Sequence, residues 1–123
     1  MPVRSLRSPL LKWPDRATVE AALRVWADDA GRRRSELVRV GYFGSYARGD
    51  WGVGSDLDVV IIVRTAAVPF YERAAHWDTI RLPVPVDLLV YTAPEWASTL
   101  RQPTHFAKAL TEETHWVWRA DPH

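Results

Sequence analysis

GSYARGDWGVGSDLD, residues Gly44 to Asp58, is the stretch on which the reading of this chain turns. A Gly-Ser pair opens it, ten residues intervene, and two aspartates flanking one leucine close it. Upstream, Leu37 to Phe43 (LVRVGYF) reads as a first strand that delivers Gly44-Ser45 at its C-terminal end, with Ser45 to Arg48 a short helical turn. Residues 49–55 (GDWGVGS) read as loop, because three glycines and Asp50 break any regular element. Asp56 to Val63 (DLDVVIIV) reads as a second strand whose end is apolar on both faces, hence buried and central.

Toward the N-terminus, residues 1–14 carry Pro2, Pro9 and Pro14 and read as an extended arm packed through Leu10, Leu11 and Trp13. A helix is expected from Asp15, since Val19, Ala22, Leu23, Trp26 and Ala30 share one face. Asp15 or Thr18 would cap its start and Gly31 would end it, with Arg32, Arg33 and Arg34 a solvated helix end that suits the dipole. Toward the C-terminus, Phe70 to about Ile80 reads as a helix with Phe70, Ala74 and Trp77 on one face. Pro83 and Pro85 bracket the turn into a third strand, Val86 to Tyr91, and two strands joined by a helix imply a right-handed parallel crossover. Short helices follow at Glu95 to Leu100 and Thr104 to Glu113, the latter with Phe106 and Leu110 inward, and His115 to Arg119 reads as a last edge strand. The expectation is an α+β fold: a small mixed β-sheet flanked by helices, in one domain spanning 1–123.

The composition narrows the partners. Sixteen basic residues against 15 acidic give a net charge of +1, so no broad field argues for direct nucleic-acid or membrane binding. No cysteine is present, which excludes disulfides and thiolate metal sites. No signal peptide and no bilayer-spanning stretch is visible, and a cytoplasmic location is expected. Most of the seven tryptophans are expected to fill core and surface grooves.

On a strand, residues two apart point to the same face. Asp56 and Asp58 therefore present their carboxylates side by side, with Leu57 turned away. Asp87 lies near the start of the third strand. If strands two and three are parallel, these starts lie at one sheet edge, with neighbouring strands about 4.8 Å apart. If strand one is antiparallel to strand two, Gly44-Ser45 arrives there as well. Three carboxylates that close repel one another, and without a cation at least one tends to take up a proton. Oxygen ligands of this kind suit Mg²⁺, which completes its shell with water and substrate phosphates. Two such ions about 3.5–4 Å apart can serve an in-line phosphoryl displacement. Gly44 permits close backbone approach, Ser45 offers a hydroxyl and an N–H at a helix start, and Arg48 and Ser55 could add donors to a triphosphate. Taken singly, an Asp-Leu-Asp at a strand entrance or a Gly-Ser dipeptide is most simply a solvated turn; the combination is what carries the reading.

The Gly-Ser pair, the ten-residue gap and the Asp56-Leu57-Asp58 triplet match the nucleotidyltransferase signature of the DNA polymerase β superfamily. The longer string FGSYARGD followed by SDLDVVI resembles its minimal nucleotidyltransferases, the MntA type, over nearly the whole chain. The resemblance implies a polymerase β-like nucleotidyltransferase fold. It implies that Asp56 and Asp58 ligate two Mg²⁺ ions, that Asp87 completes the metal site and helps activate an acceptor hydroxyl, and that Gly44 and Ser45 hold the terminal phosphates. It implies transfer of AMP from ATP. In the MntA group the acceptor is a tyrosine on a HEPN-domain ribonuclease toxin, so the expected role is that of an antitoxin in a hetero-oligomer. A binding antitoxin that acts by occlusion and a small-molecule enzyme of the aminoglycoside type are the competing readings.

Among the remaining residues, Trp51 is expected to pack its loop down rather than to cover a base. The loop glycines lack the Gly-Lys-Ser/Thr of a Walker site. His76, His105, His115 and His123 show no metal-ligand spacing, and Arg101 and Lys108 read as solvated.

Overall fold

The computed structural model describes residues 13–121. Most of the proposed arm, including Leu10 and Leu11, and His123 lie outside the described residues. Asp15 caps the first helix, α1 (Arg16–Arg33), with Oδ1 accepting from the Thr18 N–H at 2.9 Å. Val19, Leu23, Ala27 and Ala30 recur at three- and four-residue spacing and are buried, so one stripe of α1 covers the sheet. Gly31 does not end α1; it lies inside it. A Cβ there would overlap the ring of Trp118, so the glycine gives the indole room to lie against the helix, where its Nε1 donates to Asp28 Oδ1 at 3.1 Å. Arg32 and Arg33 occupy the last turn and pair with Asp29, as a solvated helix end would.

Four strands, β1 (Leu37–Phe43), β2 (Leu57–Val63), β3 (Val86–Thr92) and β4 (His115–Arg119), form a mixed sheet in the order β3-β2-β1-β4. β2 runs antiparallel to β1 and parallel to β3, and β4 closes the edge antiparallel to β1. As the apolar run of β2 requires, both its faces are covered. Leu57, Val59, Ile61 and Val63 enter a core with α1, while Val60 and Ile62 enter a second cluster with Tyr91, Trp96 and Leu110. That second cluster is built by α4 (Ala93–Leu100) and α5 (His105–Glu113). Thr92 and Glu95 form a reciprocal capping box at the start of α4, and Thr104 caps α5. Leu110 is buried as expected, but Phe106 stays 44% exposed, edge-on to Phe43 at 6.1 Å.

The helix expected over 70–80 is mostly absent. A single turn, α3 (Phe70–Arg73), passes into a 3₁₀ turn at Ala74–His76, and Trp77 is extended at φ −118° and ψ 130°. Phe70 stays 41% exposed with its ring against Tyr91, and Ala74 is exposed, so of the expected stripe only Trp77 is buried. The Asp78 side chain then accepts from the Ile80 N–H at 3.0 Å, a local bond that competes with helix continuation. The buried residue of α3 is Arg73, 8% exposed. It donates to the Val68 carbonyl at 2.9 Å, the Val90 carbonyl at 3.1 Å, and both Glu95 oxygens at 2.6 and 3.1 Å.

The tryptophans brace this framework. Trp13 donates to the Ser55 carbonyl, and Trp26 donates to the Asp78 carbonyl and leans on Trp77. Trp51 stacks on Tyr46 with ring centroids 5.5 Å apart and planes 9° from parallel, which packs the loop down. Trp96 sits between Tyr91 and Trp116.

The Arg73 hydrogen bonds, first of all, and the Thr92 N–H hold the Glu95 carboxyl near a pKa of about 2, below its ordinary 4.5. A depressed carboxylate pKa adds stability that is complete above the unfolded value and lost as pH falls through the folded one. Stability should therefore fall between about pH 5 and pH 2, and Glu95→Gln should flatten that fall. Because the carboxylate is 43% exposed, the variant should cost only about 1–2 kcal/mol at pH 7 in urea melts.

Candidate active site

Alternation along β2 aims Leu57 and Val59 at the α1 core and leaves Asp58 on the face of Val60 and Ile62. Asp58 is half-buried, and Asp56, one residue before the strand, is exposed. Asp87 on β3 is the register partner of Asp58 across the parallel pair, and Phe43 is its partner across the antiparallel one. The two conditions set on the sequence, β3 parallel and β1 antiparallel, are both met. The N-terminal ends of β2 and β3 and the C-terminal end of β1 converge on one edge.

Gly44 follows β1 directly and adopts φ 79° and ψ −152°, a region that only glycine enters freely. A Cβ at Gly44 would overlap Asp58 Oδ2 and stand 3.1 Å from its Cγ. The phosphate-turn glycine and the carboxylate are thus in direct contact. The helical turn that follows, α2 (Ser45–Arg48), is only four residues long. It offers no summed macrodipole; what it offers an anion is the unpaired first-turn N–H groups of Ser45, Tyr46 and Ala47. Tyr46 and Ala47 are fixed from below, since the Tyr46 hydroxyl donates to the Pro14 carbonyl at 2.8 Å and Arg16 donates to the Ala47 carbonyl at 3.0 Å.

The electrostatics follow from this crowding. Burial first, then the charges of Asp87 and Asp56, push the Asp58 carboxyl above its ordinary range, with Arg48 opposing. Among the described residues no three acidic or imidazole groups are already closed around one cation position. The donor set nevertheless fits a hard divalent ion: it consists of carboxylate oxygens, Arg48 only partly offsets their mutual repulsion, and the open edge leaves room for ligands from phosphate and water.

Two expected donors are engaged elsewhere. Arg48 hydrogen-bonds Asp50 at 3.2 Å and Glu113 at 3.3 Å. Ser55 Oγ accepts from the Gly52 N–H at 2.8 Å, closing the loop on itself. Glu113, the last residue of α5, was not legible as a neighbour of this site; it stands 65 residues from Arg48 and belongs to no motif. A cleft of about 390 Å³ lined by Arg34, Val63, Arg73 and Trp77 lies at the opposite end of β2 and is not part of this arrangement.

Comparisons with known proteins bear on the family and the fold. The nucleotidyltransferase domain family matches residues 27–117, and the chain belongs to that family. In fold it is similar to a provisionally assigned nucleotidyltransferase from Sulfolobus solfataricus, at TM-score 0.60 and 17% identity over 85% of this chain and 83% of that one. It is also similar to a toxin–antitoxin structure with AMP-PNP, at TM-score 0.51 and 18% identity over 82% of this chain and 73% of that one. No curated protein matches it in sequence. The protein is a nucleotidyltransferase with an α+β fold, built on a small mixed sheet.

Two outcomes test the site. Gly44→Ala forces a Cβ into the Asp58 carboxylate from a glycine-only backbone conformation, and should cost about 1–3 kcal/mol in chemical denaturation. Asp58→Asn removes a half-buried charge repelled by two others, so without divalent cations its melting midpoint should lie above that of the native protein.

Proposed function

We propose that this chain moves AMP from ATP to a hydroxyl of a protein partner, a tyrosine of a HEPN-type ribonuclease toxin, and so acts as an antitoxin. The observation that carries this reading is the register pairing of Asp58 with Asp87 beside a glycine that packs on the Asp58 carboxylate. Asp56, Asp58 and Asp87 would hold Mg²⁺, which when bound offsets charge on the transferring phosphoryl group. Gly44 and Ser45 bind the terminal phosphates through backbone N–H groups and the Ser45 hydroxyl. Arg48 turns from Asp50 and Glu113 toward the triphosphate, and Ser55 adds a donor at the loop end. Asp87, exposed at the edge, takes the proton of the acceptor hydroxyl. The hydroxyl oxygen bonds to the α-phosphorus, the α–β bridging bond breaks, and pyrophosphate leaves with that electron pair.

ATP as donor and a toxin as partner are supported by the toxin–antitoxin neighbour with AMP-PNP, whose ligand is an adenine nucleotide analogue. A protein acceptor is further supported by the open edge: Asp56 and Asp87 are exposed, and a partner's surface would have to complete the enclosure. Intact-mass analysis of the toxin after incubation with this protein, ATP and Mg²⁺ should show added AMP. Asp58→Ala should lower the rate at least about 10³-fold, as expected when a ligand for charge stabilisation is lost. Undiminished transfer by that variant would overturn the mechanism, and protection of cells by Asp56→Ala/Asp58→Ala would point to occlusion.

A further inference from the structure

Arg39 on β1 and Arg119 on β4 are direct register partners across an antiparallel pair. Like charges placed opposite one another destabilise a sheet. Among the described residues neither guanidinium has an acidic partner at salt-bridge distance. The fold does not relieve the repulsion. Instead it holds Arg39 in place: its guanidinium lies 3.9 Å over the centre of the Trp116 ring. Partial burial, and then the Arg119 charge, both lower the pKa of Arg39. A cleft of about 380 Å³ opens here, lined by Arg39, Trp116, Val117, Trp118 and Arg119.

The register irregularity between Val40 and Gly41 produces this arrangement. Val117 and Trp118 both pack with the α1 core, so Trp116 and Arg119 fall on the other face, with the α4–α5 cluster. Asp58 lies on that same face. Four residue steps of β1 lead from Arg39 to Phe43, the partner of Asp58, or about 14 Å at the usual strand rise.

We propose that the Arg39–Arg119 pair with its Trp116 shelf is a docking site for an acidic segment of a protein partner. Two forked guanidiniums match one or two carboxylates, and the indole accepts the apolar stem beside them. A nucleic acid fits less well, because it needs a track of several cations and this cleft is lined by two. A site about 14 Å along the sheet from Asp58, on the same face, is within the footprint of one macromolecule but beyond a small acceptor. The inference does not require that the partner be modified.

The test is an amide and indole NMR titration of the full chain with hexaglutamate, and separately with a single-stranded RNA hexamer of similar charge. The expected result is saturable shifts at Arg39, Arg119 and the Trp116 indole with the peptide. Affinity should fall at least roughly tenfold in Arg39→Gln/Arg119→Gln, as for loss of charge-assisted pairs. A merely structural pair would shift the melting midpoint in that variant while leaving the peptide affinity unchanged. Absent or scattered peptide shifts, undiminished binding by the variant, or preference for the RNA would each overturn the proposal.

Discussion

The contact between the Gly44 backbone and the Asp58 carboxylate governs how the rest of this molecule is arranged. It exists because β1 and β2 pair in one register, with Phe43 opposite Asp58 and Tyr42 opposite Val59. A slip of one residue would send Asp58 into the α1 core and turn Val59 out, so the apolar pattern that builds the core also aims the carboxylate. Buried Tyr42 reinforces the same register, its hydroxyl donating to Glu20 of α1 at 2.6 Å and its ring stacking on His115 of β4. Helix, β1 and β4 are thereby fixed to one another beside the edge where Gly44 emerges.

The same edge concentrates a cost. Three carboxylates share it, one half-buried, and Arg48 only partly offsets them because it is shared with Asp50 and Glu113. The remainder of the sheet is protected with more care. Arg24 reaches the Val117 carbonyl on β4, and Arg73 reaches the Val90 carbonyl on β3. Both edge strands therefore have an outward carbonyl occupied by a guanidinium, a device that discourages pairing with a foreign strand. Like charges are brought close together at the aspartate edge and at the Arg39–Arg119 pair.

Most of the framework was legible from the sequence because it is written in local signals. The limits of β1, the both-sides burial of β2, the Asp15 cap and the closing strand follow from periodicity and capping chemistry, and the convergence of Gly44, Asp58 and Asp87 followed from strand direction alone. The misreadings are tertiary. Gly31 looked like a helix terminator because the indole it accommodates comes from Trp118, 87 positions on. The 70–80 segment looked helical because Phe70, Ala74 and Trp77 have helical spacing, while the anchor is a charged residue, Arg73, whose partner Glu95 lies on another helix. Arg48 and Ser55, expected to add donors to a triphosphate, hydrogen-bond to Glu113 and Gly52 in the folded chain, contacts that only the folding of the loop and of α5 onto the site creates.

The openness of the aspartate edge also bears on why so small a chain would act on a macromolecule. Phosphoryl transfer is favoured when water is excluded and fixed dipoles replace it. Asp56, Asp87 and Arg48 are exposed, so the aspartate edge lies in contact with solvent. A small acceptor would bring too little surface to change that. A protein acceptor that also engaged a second point on the same face would be oriented by two contacts, and its own surface would cover the edge. On the proposed reading, the cost of orienting the hydroxyl is then met by docking at a distance rather than by walls around the aspartates, and a sheet of four strands is enough.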